Sequence, residues 1–498
     1  MSRWEKMKKE MTGPEEIAPP RLCIPPISDM ISLFGRGGMT SPARIQPDKE
    51  RKRKNVTYRE ARVYLDEMSK YGSVLGLDAI RGLLRELGNP QDDLKFIHIA
   101  GTNGKGSVLA YTSTILSEAG YRTGRYVSPT VVSYLERIQV DSDWIPEERF
   151  AALTGRVRDA IAALEARGEP RPTVFEAETA IAFLYFQERD CDLVVLEAGL
   201  GGALDATNII RNTVCAVFSS ISRDHIGVIG DTLAEIAENK AGIIKPGCAV
   251  VSAEQKEVVG NILRERAQSM GCSYTEAEES LVCISREDCR GISFSYKEET
   301  DLHTGMAGRN QAGNLCTALE VIQVLRGLGY DIPKDAVRRG LERTVWKGRF
   351  TVLGERPLFI LDGAHNEDAA KKLRETMEQY FPGRRMLFLM GVFRDKEYDR
   401  IARIMGPLAS AAYPVELPDR KRGLPREELA EVLKRYCPCV KLPDAEPEKS
   451  VEAAVLLALE EAGADDVILA FGSLSYLQQA ADAYEKAQAH DRAEETGK

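Results

Sequence analysis

A short apolar run that enters Gly101-Thr102-Asn103-Gly104-Lys105-Gly106-Ser107 and leaves it as a helix gives this chain few folds to choose from. Phe96-Ile97-His98-Ile99-Ala100 reads as a strand covered on both faces, and Val108, Tyr111, Ile115 and Ala119 recur at a helical period behind the loop, as one apolar face. Between them, glycines let backbone N–H groups converge on oxygens, the helix N-terminus adds partial positive charge, and Lys105 adds a full one. The segment reads as a phosphate cradle. Its spacing departs from the general G-x-x-x-x-G-K-[ST] pattern, because Gly106 separates Lys105 from Ser107. Ser107 serves either phosphate or the helix start, and the plain alternative for the segment is a Gly-rich turn with an exposed lysine.

From Tyr58 onward, helical periods alternate with short apolar runs ending in Gly, the sign of an α/β fold around a mostly parallel sheet. Strands are expected at Phe96–Ala100, 193–196 and 214–219, then at Leu358–Leu361, Met386–Met390, 413–417 and Val467–Phe471. Ligands of open α/β sheets bind beyond the carboxyl ends of the strands, so the loops after the first three should converge. A chain of 498 residues exceeds one ordinary core. The expected division is a poorly ordered extension over 1–55, a phosphate-loop domain over 56–350 and a smaller α/β domain over 351–490, hinged at 349–355.

Three further residues carry chemistry. Glu197 ends the 193–196 strand, where burial of a carboxylate is costly unless it meets a cation, and Mg²⁺ on nucleotide phosphates suits it; a solvated strand-end glutamate is the alternative. The 214–219 strand should neighbour that of Glu197, which brings His225 beside the same pocket as a metal ligand, a phosphate contact or a structural imidazole. Lys240 follows a capping box of Thr232 and Glu235 and shares a helix face with Leu233, Ile236 and Ala237. An inward ammonium must pair, lose its proton or be modified. A neutral amine can add carbon dioxide and become a carbamate, which ligates metal; otherwise its stem snorkels to solvent.

The net charge of -9 argues against broad nucleic-acid binding, and Arg51-Lys52-Arg53-Lys54 reads as a solvated linker. No stretch approaches the roughly 18 apolar residues of a spanning helix. Pro25 and Pro26 break the only apolar stretch near the N-terminus, so no signal peptide is expected. Ten scattered cysteines form no framework, and Cys437-Pro438-Cys439 lacks a second pair at zinc spacing, which suits free thiols in a reducing cytoplasm.

These segments resemble the folylpolyglutamate synthase and dihydrofolate synthase family of the Mur ligase superfamily. The resemblance runs from about Tyr58 to Tyr476 through residues 101–107, Tyr126-Val127-Ser128-Pro129, Glu136-Arg137-Ile138, residues 196–202, Asp205-Ala206-Thr207-Asn208, Asp224-His225, and Lys240-Ala241-Gly242. It continues through Gln311, Asn314, Trp346-Lys347-Gly348-Arg349-Phe350 and Leu361-Asp362-Gly363-Ala364-His365-Asn366. It implies an ATPase domain, a Rossmann-like second domain and a cleft between them. It implies ATP and two Mg²⁺ ions, one held by Ser128 and Glu197, the other by Glu197, His225 and Lys240 as carbamate. Asn314, Arg349 and Asp362 are expected at the nucleotide, His365 near the phosphates or incoming glutamate, and residues 72–77 with the Ser128 loop over the pterin and ATP. The implied reaction joins L-glutamate to a folate or dihydropteroate carboxylate, in a cytoplasmic monomer without nucleic-acid or membrane partners. Thr130, Ala203, Asn310, Lys347 and Glu367 stand where many members carry other residues. The alternatives are a peptidoglycan-precursor ligase of the same superfamily, against which the short segment before the fold speaks, and a phosphate-loop switch without catalysis.

Overall fold

The structure, a computed structural model, describes residues 56–496 except 71 and 73–75, with side chains through residue 490. The expected 1–55 extension, the basic run at 51–54 and part of the 72–77 loop lie outside the described residues.

The first block runs α1 (Tyr58–Ser69), α2 (Asp78–Glu86), β1 (Phe96–Ala100), α3 (Lys105–Glu118), β2 (Thr123–Tyr126), β3 (Ile138–Val140), β4 (Asp143–Trp144), α4 (Glu147–Ala166), α5 (Val174–Glu188), β5 (Leu193–Glu197), β6 (Thr213–Phe218), α6 (Leu233–Ala241), β7 (Ala249–Ser252), α7 (Glu257–Ser269) and β8 (Ser273–Glu276). A hairpin group follows, β9 (Val282–Asp288), β10 (Gly291–Tyr296) and β11 (Glu299–Thr304), then α8 (Gln311–Gly327) and α9 (Lys334–Arg343). The last block is β12 (Thr351–Glu355), β13 (Leu358–Leu361), α10 (Glu367–Tyr380), β14 (Met386–Met390), α11 (Tyr398–Met405), β15 (Ala411–Pro414), α12 (Arg426–Leu433), α13 (Ser450–Glu461), β16 (Val467–Phe471) and α14 (Leu477–Thr496).

Among the described residues these strands form an eight-stranded sheet in the order β4-β3-β2-β5-β1-β6-β7-β8, a three-stranded sheet β11-β10-β9, and a five-stranded sheet β12-β13-β16-β14-β15. In the large sheet β2, β5, β1, β6, β7 and β8 are parallel, and β3 and β4 extend it antiparallel. Every residue of β1 and β5 is buried, because helices cover both faces. One core packs Phe96, Tyr126, Leu196 and Phe183, and the opposite core packs Ile97, Val127, Val195, Tyr111 and Leu315. The chain leaves β1 for β2 on one side and reaches β6 on the other, so the strand order reverses around β1 and opens a crevice above its carboxyl end.

Four expectations need correction. β6 does not neighbour β5, since β1 lies between them, so His225 reaches the site across two strands. The helix behind the phosphate loop is buried from Gly106 through Leu116 rather than along one face, because α8 and α9 also pack on it. The strand expected at 413–417 is Ala411–Pro414; Pro414 has no N–H to continue a ladder. Part of the 349–355 hinge is itself a strand, β12, paired antiparallel with β13. The β9–β11 sheet was not anticipated. Among the described residues no helix is long and apolar enough to cross a membrane.

Candidate active site

The phosphate loop is shaped by what crowds it. Gly101 has φ +157°, and a Cβ there would lie 1.9 Å from the Ser219 hydroxyl; Gly104 has φ +90°, and a Cβ would lie 2.2 Å from Asn314 Oδ1. The N–H groups of Thr102 and Asn103 donate to the Ser220 carbonyl at 2.8 and 3.2 Å, which pins the loop to the end of β6. No side chain caps the first turn of α3, so its N–H groups are left for an anion. Ser107 Oγ is buried without a hydrogen-bond partner, as an oxygen meant for a ligand would be.

Glu197 and Lys240 meet this loop from two sides. Lys105 Nζ lies 3.7 Å from Glu197 Oε1, and the Ser128 N–H donates to Glu197 Oε2 at 3.3 Å. Burial pushes the Glu197 carboxyl above its ordinary range, against the opposing pull of Lys105, Ser128 and Arg349. Lys240 is 4 % exposed, inward-facing as its helix period requires, and its Nζ donates to the Gly101 carbonyl at 2.8 Å. Burial, then the charge of Lys105, drags the Lys240 amine down to about 7, against Asp224 and Asp205. Gly202 allows α6 this close: a Cβ on it would lie 2.7 Å from the Lys240 carbonyl oxygen.

The loop after β6 forms the third wall. His225 has φ +52° and stands 3.8 Å from Asp224, its side chain 40 % exposed. Desolvation lowers its imidazole to about 4, helped by Lys396, Lys240 and Lys105 and opposed by Asp224. From the second block, His365 Nδ1 donates to the Gly363 carbonyl at 2.8 Å, which leaves Nε2 as the unprotonated nitrogen, 4.0 Å from Asp224 Oδ2. Burial, then Lys396, brings this imidazole to about 4 as well.

Lys396 is the residue that sequence reasoning missed. It follows β14, and its Nζ lies 2.7 Å from Asp224 Oδ1, both side chains about nine-tenths buried. Burial alone would raise Asp224, but Lys396, His225 and His365 outweigh it and hold the carboxyl well below the usual carboxylate range. The signal available was positional: Lys396 occupies a loop beyond the carboxyl end of a parallel strand, as Ser128, Asp224, His225 and His365 do.

Asn314, Arg349 and Asp362 gather in a crevice with Gly104, Ser107 and Lys372. Asp362 accepts the N–H groups of Phe350 and Ala364 at 3.0 and 2.8 Å, and burial raises it against the charge of Arg349. Across the cleft, Asn103 and Asn366 exchange amide hydrogen bonds at 2.9 and 3.3 Å.

Two profiles match the chain: the Mur ligase middle domain over residues 99–322 and the Mur ligase glutamate ligase domain over 348–474. A Bacillus subtilis dihydrofolate synthase/folylpolyglutamate synthase is 32% identical over 429 residues, 85% of this chain and 98% of the relative. The chain belongs to the folylpolyglutamate synthase and dihydrofolate synthase family. It is thus an ATP-dependent, amide-bond-forming ligase. A Thermotoga maritima folylpolyglutamate synthase structure superposes with TM-score 0.73 at 30% identity, covering 85% of this chain and 96% of that one. A Mycobacterium tuberculosis folylpolyglutamate synthase complexed with ADP and AMPPCP gives 0.76 at 27% identity, covering 86% and 98%.

Two of the residues that depart from the family's common pattern are tied down locally. Glu367 pairs with Arg400 at 2.6 Å and Lys371 at 2.7 Å, and Ala203 donates its N–H to the Asn239 carbonyl, one residue before Lys240.

Proposed function

We propose that this chain joins the amine of L-glutamate to a carboxylate of a folate-type acid, dihydropteroate included, through an acyl phosphate. The observation that carries the proposal is the convergence of Lys105, Glu197 and Lys240 on the Gly101 turn. A carboxylate is a poor acyl donor, and phosphorylation by ATP makes its oxygen a good leaving group. Lys105 and the first-turn N–H groups of α3 would hold the phosphoryl oxygens as the carboxylate of the acid attacks the γ-phosphorus and negative charge builds on the β,γ-bridging oxygen that leaves with ADP. Asn314, Arg349 and Asp362 would hold the rest of the nucleotide. Asp224, Lys396 and His365 face the side from which the amine arrives, where a carboxylate of glutamate would meet Lys396 and the unprotonated Nε2 of His365 would accept a proton.

The residues present fit Mg²⁺, whose hard oxygen ligands would be the Glu197 carboxylate and the Ser128 hydroxyl. Among the described residues no three His, Cys, Asp or Glu side chains stand together as a metal cage, so the remaining ligands must come from phosphate, from His225, or from a carbamate on Lys240. Magnesium would supply charge for the transferring phosphoryl group. An amine lowered to about 7 is substantially neutral at physiological pH, which supports its addition to carbon dioxide with release of one proton. Free thiols in the described residues, Cys437 donating to the Cys439 carbonyl among them, support a reducing cytoplasm, and we propose a monomer.

The test is isotope-labelled glutamate incorporation beside ADP release. ADP release is expected to need both the folate acid and glutamate; equal ATP turnover without either overturns the reading, and the same assay with dihydropteroate defines the acid.

A further inference from the structure

The approaches to β7 and β8 bring two thiols together. Ala249 of β7 pairs in parallel register with Ser273 of β8, so the residues just before them, Cys248 and Cys272, stand side by side. Both pack against the core that holds Ile236, Ile244 and Leu263, which puts them on one face of the sheet. Their sulfurs lie 3.8 Å apart, each a free thiol, and side-chain rotation covers the remaining gap to a bond. Among the described residues no other two thiols are in hydrogen-bond contact.

Their surroundings give them different roles. Cys248 is 5 % exposed, and burial pushes its thiol up. Cys272 is half-buried, its sulfur 3.1 Å from the Lys245 carbonyl oxygen. A dissolved oxidant therefore meets Cys272 first, with Cys248 behind it. The half-buried Lys245 ammonium donates to the Asn208 carbonyl at 2.9 Å, and among the described residues no carboxylate pairs with it. Its charge is felt at Cys248, where it favours the thiolate once that residue must give up a proton.

We propose that Cys248 and Cys272 are an oxidative modification site, closing to a disulfide when hydrogen peroxide reaches Cys272. The site lies outside the ligation chemistry and stands independently of it. In the first step the Cys272 thiolate attacks one peroxide oxygen, the O–O bond breaks, and hydroxide leaves and takes up the proton the thiol gave to solvent, so that Cys272 becomes a sulfenic acid. The Cys248 sulfur then attacks the Cys272 sulfur, the S–O bond breaks, and the hydroxyl departs as water with the Cys248 proton. The two thiols lose two electrons between them, and one peroxide becomes two waters. The bond fastens β8, the edge strand of the large sheet, to β7, and it ends the Cys272 contact with Lys245 in the turn that follows the helix of Lys240.

The experiment treats the full chain carrying Cys283→Ser with hydrogen peroxide, blocks the remaining thiols with an alkylating agent and maps tryptic peptides without reductant. Cys283 is exposed and would otherwise share a tryptic peptide, residues 267–286, with Cys272. A peptide joining Cys248 to Cys272 and released by dithiothreitol is expected. It should form about tenfold faster in the folded chain than in the same chain unfolded in urea, because the fold holds the two sulfurs together. In Cys248→Ala, Cys272 should be trapped by dimedone as a sulfenic acid; in Cys272→Ala, Cys248 should remain a thiol. Recovery of both cysteines alkylated at a dose that oxidises Cys439 would overturn the proposal, and so would closure no faster in the folded chain than in the unfolded one. Sulfenic acid on Cys248 in Cys272→Ala would overturn the order of attack.

Discussion

Replacing Lys240 by Met should make the protein more stable and inactive at once. The folded-state amine titrates near 7 and the ordinary lysine value is 10.5, so the unfolded chain binds a proton that the fold refuses between those two pH values. Each pH unit of that gap corresponds to about 1.4 kcal/mol. At about pH 7.5 most of the gap is expressed, and the lysine costs the fold about 4 kcal/mol, of which the hydrogen bond to Gly101 returns about 1 kcal/mol. Met fills a similar volume without a charge. Lys240→Met should therefore gain about 3 kcal/mol in urea unfolding at about pH 7.5 in buffer purged of carbon dioxide. The sign follows from the lowered pKa: wild-type stability rises with pH from about 7 to about 10.5, so the advantage of Lys240→Met must shrink toward zero over that window and stay level below it. Bicarbonate should stabilise the wild type alone, because a carbamate replaces the refused proton. A destabilised Lys240→Met, or a difference from wild type that ignores pH between 7 and 10.5, would refute the argument that this amine is buried and uncompensated.

Other expectations are more compact. Gly104→Ala must hold φ near +90° and displace Asn314, a strain of about 1–2 kcal/mol that should weaken ADP binding about tenfold by calorimetry. Asp224→Asn strands the buried Lys396 ammonium and should cost about 3–5 kcal/mol in denaturant unfolding. Because the folded Asp224 carboxyl is depressed, that stabilisation is complete above about pH 4 and is lost as pH falls below it, so the gap between wild type and Asp224→Asn should close in acid. Proton NMR should find the His225 and His365 imidazoles titrating near 4; a midpoint near 6.5 for either would contradict the desolvated pocket.

Much of this was legible in the chain. The strand and helix flanking residues 101–107 placed the phosphate loop, because a buried parallel strand leaves a dense apolar signature. Lys240 could be turned inward from its spacing against Ile236 and Ala237, since a helix fixes which residues share a face. Strand order could not be read this way. Periodicity reports that β5, β1 and β6 are buried but not which lies in the middle, and the expectation for His225 suffered accordingly. The Asp224–Lys396 pair joins residues 172 apart in sequence, a separation at which local pattern carries no information. The β9–β11 hairpins were missed because β9 is largely exposed and β10 and β11 intersperse their buried apolar residues with polar ones, so none carries the continuous apolar run that marked the others.

The reciprocal amides of Asn103 and Asn366 bear on how the two halves communicate. Asn103 sits at the tip of the phosphate loop, and Asn366 caps α10, its side chain accepting the Ala369 N–H at 2.9 Å. Asn103 Nδ2 also donates to Asp368 Oδ2 at 3.2 Å, so the clasp ties the loop tip to two residues at the start of α10, one amide and one carboxylate. Any nucleotide that reshapes the loop tip therefore pulls directly on the first turn of the helix beside His365, and filling one half is felt mechanically by the other.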